Sequence, residues 1–272
     1  MPAVYGYVGV AYARVGSWQR AIDAAQRGLE LATQEIAGAM HIVARMQLAF
    51  VYAELGEWQQ ALQVAGPVSQ MWQEEGMTPY AFMLRSVIGR CKAQLGGDPA
   101  GVLEIGAALQ WARDVDYRVQ IHLVKMYLAQ AQAQTGQREL AFESAQIAAG
   151  HAAKVGDRWA EAVALRNQAE IGMKLSRADW GQVENNLIQS MEHLRQIRAR
   201  PELARTYLAL RRLYDRAGQT AWAVDCHFRA TTIFEELGMD QEMRQAQGQP
   251  AGERTGAVVI PGLMLHGPHS MD

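Results

Sequence analysis

The chain has 272 residues, 49% hydrophobic and 20% charged, a globular composition that excludes a largely disordered chain. Its formal net charge is −2, from 26 basic and 28 acidic residues, so no bulk field draws it to nucleic acid or to a membrane surface. It lacks any apolar run of about 18 residues and any basic-then-apolar leader, and Cys91 and Cys226 lie far apart without CxxC spacing. A soluble cytoplasmic chain with free thiols is the expectation.

In the first stretch, Tyr5, Val8, Gly9 and Tyr12 recur at helical spacing and define one face. Gly16 ends that helix, because the left-handed conformation costs little only for glycine. Ser17 can cap the next helix, whose inward residues Ala21, Ala25 and Gly28 are small enough for close helix approach. Tyr12 and Trp18 are expected to fill the wedge between the helices. The turn then returns as Gly56 before Trp58, as Gly96, and as Gly136, at intervals of 40 residues. Ser176 falls on the same beat, and Gly218 follows 42 residues later. A fixed period of this length is the signature of stacked helix pairs.

Within that period the residues repeat as well. Tyr5-x2-Val8-Gly9-x2-Tyr12 with Ala21-x3-Ala25 is followed by Arg45-x2-Leu48-Ala49-x2-Tyr52 with Ala61-x3-Ala65. The last unit reads Tyr207-x2-Leu210-Arg211-x2-Tyr214 with Ala223-x3-His227. This pattern resembles the tetratricopeptide repeat, Trp-x2-Leu-Gly-x2-Tyr followed by Ala-x3-Phe. The period here is about 40 residues where the family has 34, and the closing proline is replaced by Gly76, Gly156 and Gly238. The resemblance implies an all-α fold, a right-handed α-solenoid of about six helix pairs over residues 1–239. The units are 3–36, 37–78, 79–117, 118–157, 158–198 and 199–239.

Helix-start chemistry agrees with this division. Asp98 precedes Pro99, Pro201 precedes Glu202, and Asp179 is a candidate cap after the irregular turn around Ser176. Residues 240–272 break the repeat and are expected to be a flexible tail, with a short apolar segment at 257–265.

No phosphate loop, dinucleotide fingerprint, HExxH or GxSxG occurs, so a non-catalytic chain without cofactor or metal is expected. Cys226 and His227 are adjacent, but neighbouring helical residues point about 100° apart and do not share a metal. His227 holds the Phe slot of the repeat, where a packed histidine is expected, and His266 and His269 are an incidental pair.

In the family the first helix of each pair lines a concave groove. The register places there Tyr7, Val10, Met46, Gln47, Phe50, Met83, Arg90, Met126, Tyr127 and Gln130, then Arg166, Asn167, Glu170, Arg205, Arg212 and Arg216. Methionine and aromatic residues suit apolar anchors, and the arginines suit a carboxylate or an acidic motif. For Arg212 and Arg216 the alternative is a surface network with Asp215 and Glu170. The Lys/Asn carboxylate clamp of some family members is not reproduced.

The implied function is a scaffold that binds a protein or peptide segment in the groove; the alternative is a stand-alone small-molecule or peptide-pheromone sensor. The 40-residue period resembles the arrays at the C-terminal ends of bacterial signalling ATPases, cyclases and transcriptional regulators. That likeness implies a fused or separate domain of such a kind as partner, and a chain that is a fragment of such a regulator.

Overall fold

The computed structural model describes residues 2–34, 39–75 and 78–248. These form thirteen α-helices and no strand among the described residues. Six antiparallel pairs follow one another: α1 (Pro2–Val15) with α2 (Trp18–Gln34), α3 (Ala39–Glu54) with α4 (Trp58–Glu75), and α5 (Pro79–Gly96) with α6 (Ala100–Asp114). Then come α7 (Ile121–Gln134) with α8 (Arg138–Val155), α9 (Arg158–Gly172) with α10 (Trp180–Gln196), and α11 (Arg200–Arg216) with α12 (Thr220–Leu237). A short α13 (Asp240–Gly248) follows. The chain divides into two compact units, 1–148 and 149–272. In the first unit α1, α3, α5 and α7 stack in succession; in the second, α9 stacks on α11.

The turns carry the repeat. Gly16, Gly56, Gly136 and Gly218 all have φ between 71° and 86°. At each, the glycine N–H and the next N–H bond back to the carbonyls three and five residues earlier, as in Gly136 to Ala133 (3.3 Å) and Gln137 to Gln132 (2.8 Å). This double bond is the Schellman closure, and it satisfies carbonyls that the helix end leaves open. In the third pair the left-handed residue is Gly97 (φ 66°), not Gly96, which is still helical; a single bond from Gly97 N–H to Ala93 O closes it.

The turns between pairs use the same closure. Gly156 and Gly238 are left-handed, as expected, and Gly76 lies outside the described residues. On the same beat stand Asp116 (φ 50°) and Arg198 (φ 57°), which take the left-handed conformation without being glycine. The irregular fifth turn is confirmed in position. Residues 173–179 join α9 to α10, where residues 135–137 suffice between α7 and α8. Asp179 accepts from Gln182 N–H (3.0 Å) and starts α10. Asp98 accepts from Ala100 N–H (2.9 Å) at the start of α6.

Close approach within pairs depends on missing side chains. A Cβ on Gly101 would stand 2.3 Å from Gly89 O, so α5 and α6 meet backbone to backbone; a Cβ on Gly9 would stand 2.8 Å from Ala21 O. Around the junction of Gly9 with Ala21, the residues Ala13, Ala21, Ala25, Leu48 and Val51 form a core sealed by Val10, Tyr12, Trp18 and Ile22. Burying a side chain such as Leu48 contributes about 2 kcal/mol. Trp18 is only part-buried, packed at the edge of this core, a departure from the expected wedge. Small residues on both helices leave too little room between them for a whole indole.

Residues 240–248 also depart from expectation. They form α13, with Ala246 1% exposed. Arg205 donates to Glu242 (2.6 Å), and Arg211 donates to Ala246 O (3.3 Å), a cation at the helix C-terminus where the backbone dipole favours it. The apolar segment 257–265 and both tail histidines lie outside the described residues.

Candidate binding surface

Buried polar chemistry concentrates on first helices. Of the buried polar or charged residues, Gln47, Glu54, Ser86, Arg90, Gln132, Arg166, Asn167, Gln168, Glu202, Thr206 and Arg211 lie there, against Glu184, Asn186 and Ser190 on a second helix.

In the first unit Arg90 is the centre. It donates from Nη1 to Glu54 Oε1 (2.7 Å), and its guanidinium lies between the Trp58 ring (5.3 Å to the centroid) and the Tyr127 ring (5.0 Å). Burial acts to lower the Arg90 pKa, but the Glu54 carboxylate and its hydrogen bond outweigh that and raise it. Burial pushes the Tyr127 hydroxyl well above its ordinary range and the neighbouring Cys91 thiol up to about 12. Tyr127 (0% exposed) and Met126 (1%) are therefore packing residues of the layer and not an open lining. Phe50 and Met83 are buried as well; Met46 and Gln130 are part-buried, and Tyr7 is 54% exposed. Side-chain amides punctuate this row. Gln47 donates to Ala3 O (3.2 Å) while its Oε1 has no partner, and the same holds of Gln130 Oε1 and Gln132 Oε1.

In the second unit Arg166, Arg205 and Arg212 are neutralised by carboxylates on their own helix or one repeat away. Arg166 pairs with Glu202 and reaches Glu170 (3.8 Å); Arg205 pairs with Glu202 and Glu242; Arg212 pairs with Glu170. Arg216 donates to Met173 O (2.8 Å) and stacks on Trp180 (5.7 Å). The expected role of these arginines as free anion holders is thus replaced by a network. Glu170 takes part as foreseen, whereas Asp215 pairs instead with Arg211 (3.3 Å). Burial acts to raise the Glu202 pKa, but Arg166 and Arg205 hold it at about 2. Asn167 is 7% exposed with its Nδ2 unpartnered, next to Gln168, whose Oε1 accepts from Asn186 (3.1 Å).

His227 is part-buried with Nδ1 3.1 Å from Arg211 Nη1. Burial and that cation lower its pKa, which favours the neutral ring. No group of three metal-ligating side chains occurs among the described residues, and no described helix is long and apolar enough to cross a membrane. A cavity bounded by Met191, Leu210, Tyr214 and Cys226 holds about 10 Å³, room for a single water.

No family model matches this sequence, and no curated protein matches it. Solved structures do. A Rap protein complexed with competence and sporulation factor superposes with a TM-score of 0.65 at 11% identity, over 89% of this chain and 73% of that one. RapI in its apo form gives 0.61 at 13%, over 90% and 84%. A signal transduction ATPase with numerous domains from Pyrococcus horikoshii, with a tetratricopeptide repeat sensor, gives 0.56 at 14%, over 90% of this chain and 38% of that one. The chain has the tetratricopeptide-repeat fold. In tetratricopeptide-repeat terms, most of the amide-bearing and charged positions above belong to first helices of repeats, and the left-handed glycines are the turns inside and between repeats.

Proposed function

We propose that the chain is a binding module for an extended peptide or protein segment, held along the first helices within a unit. The observation that carries this reading is the concentration of buried polar groups on those helices, with amide atoms of Gln47, Gln130, Gln132 and Asn167 left unpartnered. A side-chain amide offers both a donor and an acceptor, which matches the peptide backbone whatever its side chains are. The self-neutralised arginines favour a segment held by its backbone over one selected for acidic side chains. The fold likeness to a Rap protein solved with competence and sporulation factor supports the same reading.

The test is selection of a random linear peptide library on the purified chain, followed by calorimetric titration of the enriched peptides. Gln130→Leu and Asn167→Leu are expected to weaken binding by about tenfold each, as losing a buried hydrogen bond does. Enriched peptides that bind both variants as tightly as the wild type would exclude the first-helix row. The likeness to an ATPase with a repeat sensor supports a place in the regulatory part of a signalling protein. An ATPase reading frame adjoining this one in the genome would bear that out, and an unrelated, separately transcribed neighbour would count against it.

A further inference from the structure

Second helices carry an apolar residue at one fixed place, directly after the small residue that packs on the first helix. It is Ile22 in α2, Leu62 in α4, Val102 in α6 and Phe142 in α8, and each is part-buried. Ile22 packs against Leu48 and Val51 of α3, the first helix that follows it. Val224 holds this place in α12, after Ala223, and is 61% exposed. One turn further along the same face, the first four pairs carry Gln26, Gly66, Gly106 and Gln146. α10, after the irregular turn, has Glu184 and Ile188 at the two places. α12 has Phe228 at the second of them, 68% exposed. A phenylalanine where four pairs have glutamine or glycine, beside an uncovered valine, is an apolar surface made to be covered.

α13 covers only part of α12. It follows the left-handed Gly238, packs back on α12, and is seated through Glu242 and Ala246. Its nine residues rise about 13 Å. Phe228 and Val224 stand about 15 and 21 Å from Gly238 along α12, so both remain open beyond it. Pro250, Gly252 and Gly256 oppose a longer helix.

We propose that the chain covers this face itself, with Val258 and Ile260 of the apolar segment 257–265 lying on Val224 and Phe228. The segment is outside the described residues, and its sequence suits the task. It carries no charge, Val258-Val259-Ile260 is β-branched throughout, and Pro261 drives the residue before it toward extended backbone. Alternate residues of an extended chain share one face at about 6.6 Å. Residues four apart on a helix are separated by about 6 Å along its axis. Val258 and Ile260 therefore match Val224 and Phe228 in spacing as well as in character. From Gly248 to Ala257 the chain reaches up to about 30 Å, more than the open part of α12 requires. The contact continues the seat of α13, and it closes the last pair on the side where earlier pairs meet the next repeat.

The test places benzoylphenylalanine at position 228 of the full chain, where the side chain is exposed. Irradiated in dilute solution, it is expected to join a peptide from 257–265 of the same molecule, read by mass spectrometry of a digest. Val258→Asp with Ile260→Asp should abolish that cross-link. Amide exchange at 258–260 should be about tenfold faster in Phe228→Asp than in the wild type. Circular dichroism should show the helices retained in both variants. A cross-link to a second copy, or none within 257–265, would overturn the proposal. So would exchange at 258–260 that Phe228→Asp leaves unchanged.

Discussion

Replacing Glu54 by alanine should be among the most damaging single changes in the first unit. The Arg90 side chain is only 9% exposed and that of Glu54 4%, so the guanidinium left behind has little water to turn to. Breaking a buried pair by removing one partner costs about 3–5 kcal/mol, because the remaining charge is uncompensated. For a unit of this size each kcal/mol moves the melting temperature by about 2–4 °C, so a fall of roughly 10 °C or more is expected. Arg90→Ala should cost at least as much, since it also removes a cation held 5.3 and 5.0 Å from the Trp58 and Tyr127 ring centres. The decisive variant changes both residues, Glu54→Leu with Arg90→Met. Apolar side chains of similar volume need no partner, and the double variant should recover about 3–5 kcal/mol over either single, returning to about the wild-type stability. Thermal melting followed by far-ultraviolet circular dichroism reads all three. A Glu54→Ala melt within a degree or two of wild type, or a double variant as unstable as the sum of its singles, would refute the reasoning.

Three further outcomes are open to simple measurement. Glu202 is held at about 2 by Arg166 and Arg205 against an ordinary value of 4.5, so its contribution is fully present above pH 4.5 and fades as pH falls toward 2. That difference corresponds to about 3 kcal/mol, and Glu202→Gln should flatten the acid limb of a stability-against-pH curve there. Gly101→Ala forces a Cβ against Gly89 O and should destabilise by about 2 kcal/mol or more, whereas Gly106→Ala, in open space on the same helix, should stabilise by about 0.5–1 kcal/mol. Equal urea midpoints for the two would contradict the backbone contact. Burial pushes the thiols of Cys91 and Cys226 up to about 12, so a chromogenic disulfide reagent at mildly alkaline pH should report neither until denaturant is added.

The turn glycines made the helix pairs legible, because a left-handed residue every 40 positions has few alternatives to glycine. Where Asp116 and Arg198 take that conformation, the pattern offered no letter to read. The groove assignment was less legible. The register correctly puts Arg90, Tyr127 and Arg166 on first helices, but neighbours one repeat away decide whether a side chain there is open or closed. Those neighbours leave a trace in the sequence. Glu54 and Arg90, and Arg166 and Glu202, are opposite charges 36 residues apart, one period less one helical turn. Stacked first helices bring such residues together on the diagonal, so a search for charge pairs at that spacing finds the partners of Arg90 and Arg166. α13 escaped because its nine residues are mostly polar and end in a glycine, and its attachment is made by Arg205 and Arg211 on another helix.

The Schellman closures also bear on how the molecule is made. Each is completed by bonds to carbonyls three and five residues back, so a turn needs no distant segment in order to form. The pairs then lean chiefly on their neighbours, which keeps loop-closure entropy small at every step. Such a chain can fold in the order of its synthesis, one hairpin closing on the last while the ribosome is still adding residues. The Glu54–Arg90 pair sets the rhythm of that process. Once α3 has formed, its buried carboxylate waits 36 residues for the guanidinium that neutralises it, and the second hairpin is finished only when the third arrives.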